Sequence, residues 1–214
     1  MNNVNPYILL CISILITLLY GLLRNLYSKK YVRGHADLYL LNTVSTVFSI
    51  VVIMALSAGI SKPSLYTVGL GFLYGIATLG STILILLALK IGPFSYTSVI
   101  VSSSMLIPAL SGAIFWNESV SVWQYIGVGL IVVTLILSVD SKKGNKQASV
   151  KWLLCCLGAF VFSGAIGILQ KAHKNSIHKE EINSFLLIAF LISAVFSTVF
   201  YFMNRKQPEQ LEDE

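Results

Sequence analysis

The sequence predicts an all-α, polytopic membrane protein with seven transmembrane helices, and two observations predict this class. Apolar residues make up 56% of the 214-residue chain and charged residues only 11%, whereas soluble domains average about 45–50% and about 25%. Seven apolar stretches also reach the roughly 17–25 residues that cross a bilayer. They are residues 6–23, 38–60, 65–89, 94–116, 122–139, 152–169 and 185–203.

The first span is expected to be a retained helix and not a cleaved secretory signal. No basic residue precedes it, and no small-residue cleavage site follows it. It runs instead into four basic residues that act as topological anchors, namely Arg24, Lys29, Lys30 and Arg33. The formal charge of +6 is concentrated in such short links. We therefore attribute it to membrane topology and expect no nucleic-acid partner.

The distribution of Lys and Arg predicts how the spans are oriented. These residues total 11 on one side of the predicted bundle and 4 on the other. The positive-inside tendency therefore places the N-terminus outside and the links at residues 24–33 and 140–151 in the cytoplasm. The link after the sixth span is also basic but falls on the outer side.

The second and third spans carry polar and small residues with expected packing roles. Asn42 lies within the second span, where its amide must bond another helix, the more frequent use, or a ligand. Gly71 and Gly75 on the third span have small-xxx-small spacing, with Gly80 further along, which favours close packing within the chain or between copies. Lys90, at the end of this span, is expected to snorkel to the headgroups.

The fourth span combines a proline with hydroxyl side chains and supplies the main candidates for a substrate cavity. Pro108 has no backbone N–H and is expected to kink or loosen the helix near the middle of the bilayer. Three serines precede it and cover most of the helix circumference, so at least one must face the interior. Serines and proline are also suited to simple helix packing. The cavity candidates here are Tyr96, Ser102, Ser103, Ser104 and Pro108.

The turn before the fifth span contains Glu118, the one carboxylate between residues 38 and 139. It follows Trp116, an aromatic residue typical of the membrane interface. We expect Glu118 to stabilise the positive end of the fifth helix, with Ser119 or Ser121 capping the same end, rather than to contact substrate. Gly127 lies early in the fifth span.

Cysteine and histidine usage predicts no metal, no cofactor and no enzyme. The three cysteines (Cys11, Cys155 and Cys156) lie in apolar spans without ligand spacing and are expected to be packing residues. The three histidines (His35, His173 and His178) lie in predicted links or at helix ends, where we expect solvated side chains. The sequence contains no G-x-S-G nucleophile and no paired intramembrane carboxylates.

An internal repeat predicts the domain organisation. The segment Ile8-Leu9-Leu10-Cys11 recurs as Trp152-Leu153-Leu154-Cys155, and a basic link follows each copy. Five helices fit within this offset, so the second copy must enter the membrane from the opposite side, as in inverted-repeat transporters. Residues 1–142 are then a first five-helix repeat, and residues 143–214 hold two helices of a second, incomplete repeat with a polar tail that should lead into another span.

One region resembles a known family. It reads Leu87-Ala88-Leu89-Lys90-Ile91-Gly92-Pro93, then Ser102-Ser103-Ser104-Met105-Leu106-Ile107-Pro108, then Ile114-Phe115-Trp116-Asn117-Glu118-Ser119-Val120-Ser121 and Gln124-Tyr125-Ile126-Gly127. This pattern is similar to the end of an EamA-type domain of the drug/metabolite transporter superfamily, and Pro108, Glu118 and Gly127 match the family's residues. The resemblance implies ten helices in two inverted repeats around a central substrate cavity. Seven predicted spans and an outward N-terminus depart from that pattern.

The expected function is secondary transport of a small organic metabolite by alternating access, in the lipid bilayer of a bacterial cytoplasmic membrane. The first span has no carboxylate, which disfavours a strongly cationic substrate. A seven-helix receptor or sensor is the alternative. A retinal protein would need a Lys in the last span, and residues 185–203 contain none.

Overall fold

The computed structural model describes residues 6–57, 59, 61–117, 121–123, 125–127, 129–130, 133 and 150–205. Helices and short links account for all the secondary structure in these ranges, with no strand among them. The α-helices are α1 (Pro6–Lys30), α2 (His35–Leu56), α3 (Leu65–Ile91), α4 (Phe94–Ser102), α5 (Leu106–Phe115), α6 (Val150–Lys174) and α7 (Ile182–Asn204). Two 3-10 turns, Ser103–Met105 and Lys179–Glu181, join α4 to α5 and precede α7.

Six of the seven predicted spans are confirmed as helices long and apolar enough to cross a membrane. They are α1, α2, α3, the α4–α5 unit, α6 and α7. The predicted fifth span lies mostly outside the described residues, although its described residues 122–123, 125–127, 129–130 and 133 are helical. The fold is therefore that of an integral, multi-pass helical membrane protein.

The helix ends differ from the prediction where basic residues lie next to an apolar stretch. Residues 24–30 were expected to form a link, but α1 continues to Lys30. Likewise α6 continues to Lys174, so His173 belongs to a helix. The expectation that His173 is solvated is wrong, because helical periodicity turns its ring inward and leaves it 0% exposed. Lys and Arg are good helix formers, and hydropathy alone does not detect such extensions.

Local sequence explains where several helices begin and end. The Asp37 carboxylate accepts hydrogen bonds from the N–H groups of Arg33 (2.8 Å) and Gly34 (3.1 Å) at the start of α2. Ser64 caps α3, since its hydroxyl accepts a bond from the N–H of Thr67 at 3.2 Å. Gly92, next to Pro93, ends α3 where a Cβ would collide with the Trp152 indole.

Pairs of contacts along α3 fix the direction of its neighbours. Arg24 bonds Thr82 and Ser28 bonds Leu86, both with a separation of 58 residues, so α1 and α3 are parallel. Gly71 lies against Phe185 and Ile188 and Gly75 against Ala189 and Ile192, so α7 is parallel to α3 as well. Because Gly71 and Gly75 both lie against residues of α7, α3 uses its small-residue face for packing within the chain.

The other helices run in the opposite direction. Thr67 meets His173 and Ser81 meets Ser163, so α6 is antiparallel to α3. The α4–α5 unit runs parallel to α6, with contacts at both of its ends. Asn42 of α2 meets Ser193 of α7, while the carbonyl of the earlier α2 residue 39 meets the later α7 residue 197, so this pair is antiparallel. The pair α6–α7 thus enters the membrane from the end opposite to the pair α1–α2.

These directions define two ends of the bundle. The Ser64 end carries the start of α3, the preceding residues 61–64 and the turn between α6 and α7. The Gly92 end carries the link between α1 and α2, the Gly92-Pro93 turn and the start of α6. Among the described helices, α3 lies at the centre of the bundle, and α1 lies at its edge with mostly exposed apolar side chains.

Candidate functional site

The fourth membrane-spanning helix is interrupted at its midpoint. Between α4 and α5, residues Ser103–Met105 form a 3-10 turn, with nearly equal lengths of helix on either side. Pro108 explains the interruption, since it has no N–H to donate to the carbonyl of Ser104 one turn earlier. A 3-10 turn, which is wound more tightly than an α-helix, therefore lies where the sequence predicted a kink or a loosening. Discontinuous helices at this depth expose polar backbone groups that transporters use for binding.

The three serines before Pro108 occupy different faces. The Ser103 hydroxyl is buried and donates to the carbonyl of Val99 at 2.8 Å. Ser104 is also buried, whereas Ser102 is exposed. The expectation that at least one serine faces the interior is confirmed.

Small residues on α6 let the interrupted helix approach closely. A Cβ at Gly167 would lie 2.6 Å from Cγ of Pro108, and one at Gly164 would overlap Ile107. The carbonyl of Pro108 accepts a bond from the Ser111 hydroxyl at 2.9 Å, and Lys171 Nζ of α6 lies 3.5 Å from the same oxygen. The segment around Pro108 is thus held by α6 on one side and by the following residues of α5 on the other.

Asn42 belongs to a polar contact between α2 and α7. Its side chain is 1% exposed, and its Nδ2 donates to the Ser193 hydroxyl at 3.1 Å. One turn away, the Ser197 hydroxyl donates to the carbonyl of Tyr39 at 2.7 Å. Asn42 therefore makes the interhelical bond that was the more frequent of its two expected uses.

The remaining predicted residues are placed apart from these two groups. Tyr96 packs against a buried cluster formed by α3, α4 and α6. Lys90 is half-buried, and its Nζ donates to the carbonyl of Val32 at 2.6 Å, so it ties the end of α3 to the link between α1 and α2. Gly127 is helical, with no described heavy atom within 4 Å of a Cβ built on it. Glu118 lies outside the described residues.

The groove described among these helices does not include the sequence-predicted residues. This groove, of about 310 Å³, opens between α2, α3, α6 and α7 and has an apolar lining. Its lining residues are Tyr39, Ile76, Leu79, Gly80, Ile83, Leu84, Phe162 and Phe200. Asn42 and the serines lie outside this lining, on two separate helix contacts.

A polar cluster at the Ser64 end was not found by sequence reasoning. The Glu181 carboxylate accepts bonds from the Ser64 N–H (2.8 Å) and hydroxyl (2.9 Å), and its other oxygen lies 3.1 Å from His178 Nδ1. Nearby, His173 Nε2 lies 3.2 Å from the Thr67 hydroxyl, and the His173 ring stacks on Phe185. The one available signal was the placement of two glutamates directly before an apolar span. The cluster joins the start of α3 to the turn before α7.

The described residues contain no group of three His, Cys, Asp or Glu side chains that could hold a metal ion. Their buried polar side chains are hydroxyls, Asn42 and His173, with no buried carboxylate in that set. Such an interior can donate and accept hydrogen bonds but offers no fixed negative charge to a ligand.

The helices define the class of protein: an integral, multi-pass helical membrane protein with a 3-10 turn midway along one span. Comparison of the chain with protein-family models, curated proteins and solved structures gives no match.

Proposed function

We propose that this chain belongs to a secondary transporter, of the EamA type in the drug/metabolite transporter superfamily, that moves a small organic metabolite by alternating access. The observation that carries the proposal is the interruption of the α4–α5 unit at Ser103–Met105. A discontinuous helix near the bilayer midplane is how many transporters present backbone carbonyls and hydroxyls to a substrate. In this chain Pro108 offers no N–H to the Ser104 carbonyl, and the hydroxyls of Ser103 and Ser104 are buried at the turn.

The directions of the helices support an inverted repeat. Helices α1 and α2 enter from one end of the bundle, and α6 and α7 enter from the other. Equivalent helices related by a two-fold axis in the membrane plane run antiparallel where they touch, as α2 and α7 do. This arrangement fits residues 1–142 as one repeat and residues 143–214 as the start of another.

The Ser64 end supplies a contact that must break if the protein opens on that side. Glu181 links the turn before α7 to Ser64 through two hydrogen bonds to one carboxylate oxygen. Hydrogen bonds to a charged acceptor are strong. Both donors belong to Ser64, so both bonds break together when Ser64 moves away from Glu181. We infer that this contact closes the Ser64 end, which the distribution of Lys and Arg places outside the cell.

The chemistry of the interior limits the class of substrate. Buried hydroxyls and an amide suit a neutral solute with its own hydrogen-bonding groups. A strongly cationic solute would require a buried carboxylate, and the buried polar side chains of the described helices include none.

The test is uptake without prior choice of substrate. Liposomes containing the full chain are incubated in an aqueous cell extract, washed, and opened for mass spectrometry of the trapped solutes. The proposal predicts that at least one small metabolite accumulates relative to protein-free liposomes. Equal contents in both preparations would contradict it and would favour a receptor or sensor.

A matched pair of variants ties any uptake to the interrupted helix. Ser103→Ala removes a hydroxyl that bonds the carbonyl four residues earlier, at 2.8 Å. Ser49→Ala removes the same type of bond, at 2.9 Å, from α2. We expect Ser103→Ala to slow uptake and Ser49→Ala to leave it unchanged. An equal effect of both variants would show that transport does not depend on this turn.

A further inference from the structure

His173 is a buried titratable side chain that takes no part in the interrupted helix. Its residue is 0% exposed, and its Nδ1 has no hydrogen-bond partner among the described residues. No carboxylate of the described residues forms an ion pair with it. A buried polar atom without a partner is costly, and folded proteins keep few of them.

The ring lies where three helices begin or end at the Ser64 end of the bundle. Its Nε2 is 3.2 Å from the hydroxyl of Thr67, in the first turn of α3. Its ring stacks on Phe185, in the first turn of α7, with 4.5 Å between the ring centres. His173 itself is the next-to-last residue of α6. At about 1.5 Å per residue, all three residues lie within roughly 5 Å of a helix end. The fit of these helix ends therefore keeps nearby water from the ring.

A continuous series of polar contacts connects His173 to the contact that closes this end. The Thr67 hydroxyl accepts a hydrogen bond from the Ser64 hydroxyl at 3.1 Å, and Ser64 Oγ is 2.9 Å from the Glu181 carboxylate. The Glu181 side chain is 16% exposed, so the series runs from the buried ring to the surface. When Ser64 moves away from Glu181, the starts of α3 and α7 separate, and the ring between them meets water.

The two states of this end differ in how they accommodate a proton on His173. An imidazolium carries an N–H on both ring nitrogens, and in the closed state its Nδ1–H would have no acceptor and no water. In the open state the ring is hydrated, and an imidazole in water titrates near pH 6.5. The C-terminal end of α6 also favours a positive charge there. Opening therefore favours uptake of a proton.

We propose that His173 is a proton-binding site that controls the Ser64 end: the ring is neutral while this end is closed and takes up a proton from water when it opens. The proposal rests on the proposed alternating access, which supplies the open state. By mass action, acid favours the state that binds the proton. With a closed state that stays neutral, a change from pH 8 to pH 5.5 raises the ratio of open to closed protein about tenfold.

The second histidine of the cluster predicts the opposite dependence on pH. His178 Nδ1 lies 3.1 Å from Oε1 of Glu181, so a proton on His178 turns this contact into an ion pair and strengthens the closed state. The helix α7 contains no Asp, Glu, Lys, Arg or His. The other titratable groups around this end belong to residue types that do not ordinarily change charge between pH 5.5 and 8. They are Lys171 and Lys174 of α6, Lys179 and Glu180 of the turn, Lys62 before α3, and Tyr66 and Tyr74 of α3.

The experiment measures how often the Ser64 end opens at each pH, without measuring transport. The full chain, with its three native cysteines replaced by alanine, carries Ser184→Cys and is placed in nanodiscs. Ser184 is 2% exposed, and its hydroxyl donates to the carbonyl of Ser61 at 2.7 Å, so a thiol here is covered in the closed state. The rate of its reaction with a charged methanethiosulfonate is divided by the rate for the same protein unfolded in dodecyl sulfate at that pH, which removes the titration of the thiol itself.

The normalised rate should rise about tenfold from pH 8 to pH 5.5. A rate that is constant, or that falls in acid, overturns the proton site and leaves the transport proposal standing. Absence of labelling at every pH shows that this end does not open, which contradicts alternating access and the proton site together.

Two variants assign the effect to one histidine. His173→Gln removes the titrating ring and should make the normalised rate independent of pH. His178→Gln, the matched change at the more exposed histidine, should keep the rise in acid. A rise that persists in folded His173→Gln overturns the proposal. Should His173→Gln fail to fold, His178→Gln still decides, because loss of the rise in that variant would assign the proton to His178.

Discussion

Replacing Gly75 by alanine is expected to force α3 and α7 apart. A Cβ at this position would lie 2.5 Å from the carbonyl oxygen of Ala189 and 2.8 Å from Cβ of Ile192. Both atoms are part of the α7 backbone or directly attached to it, so side-chain rotation does not relieve the overlap. Overpacking of this kind costs about 1–3 kcal/mol of folding free energy.

Gly69 of the same helix provides the matched control. A Cβ there meets no heavy atom within 4 Å. Both substitutions gain up to ~1 kcal/mol of helix propensity. We therefore expect Gly69→Ala to be neutral or stabilising and Gly75→Ala to be less stable than Gly69→Ala by about 1–3 kcal/mol.

The assay is reversible unfolding of the purified protein in mixed micelles with increasing sodium dodecyl sulfate, followed by tryptophan fluorescence. Each variant gives a free energy of unfolding in the same lipid-detergent mixture, so the difference between them isolates the overlap at Gly75. Equal stability of the two variants would refute the close approach of α3 and α7.

Two further predictions concern the α2–α7 contact and the topology. In a double-mutant cycle, Asn42→Ala and Ser193→Ala should show a coupling free energy of about 0.6 kcal/mol, and no more than ~1.7 kcal/mol, as found for hydrogen bonds between membrane helices. Additive effects of the two substitutions would show that the bond at 3.1 Å contributes nothing to stability. Reporter tags inserted after Arg33 and after Lys179 should lie in opposite compartments, because these residues belong to opposite ends of the bundle, and detection of both in one compartment would exclude the fold.

The fold class was predictable because each helix must satisfy its backbone groups within lipid, which requires a long apolar stretch. Hydropathy therefore locates six helices, and the lack of an N–H at Pro108 locates the interruption of the fourth span. Both signals are local in the sequence. They depend on the chemistry of one segment and not on its neighbours in space.

Burial and pairing were harder to predict because they depend on contacts distant in sequence. Asn42 bonds Ser193, 151 residues later, and a single sequence does not indicate that partner. Arg24 was expected to anchor a link, yet its Nε is buried beside α3. His173 was expected at the surface because α6 was predicted to end several residues earlier than it does. In each case helix length and rotation decide the outcome.

Alternating access at the interrupted helix is tested most directly by the reactivity of one cysteine. After the three native cysteines are replaced by alanine, Ser104→Cys in sealed liposomes is treated with a membrane-impermeant thiol reagent added to either side. The account predicts labelling from both sides, because a residue that is buried at 8% exposure in this state becomes open to each side in turn. Ser193→Cys, in the closed α2–α7 contact, should stay unlabelled. Labelling of Ser104→Cys from one side only, or from neither, would contradict a transport pathway through this turn.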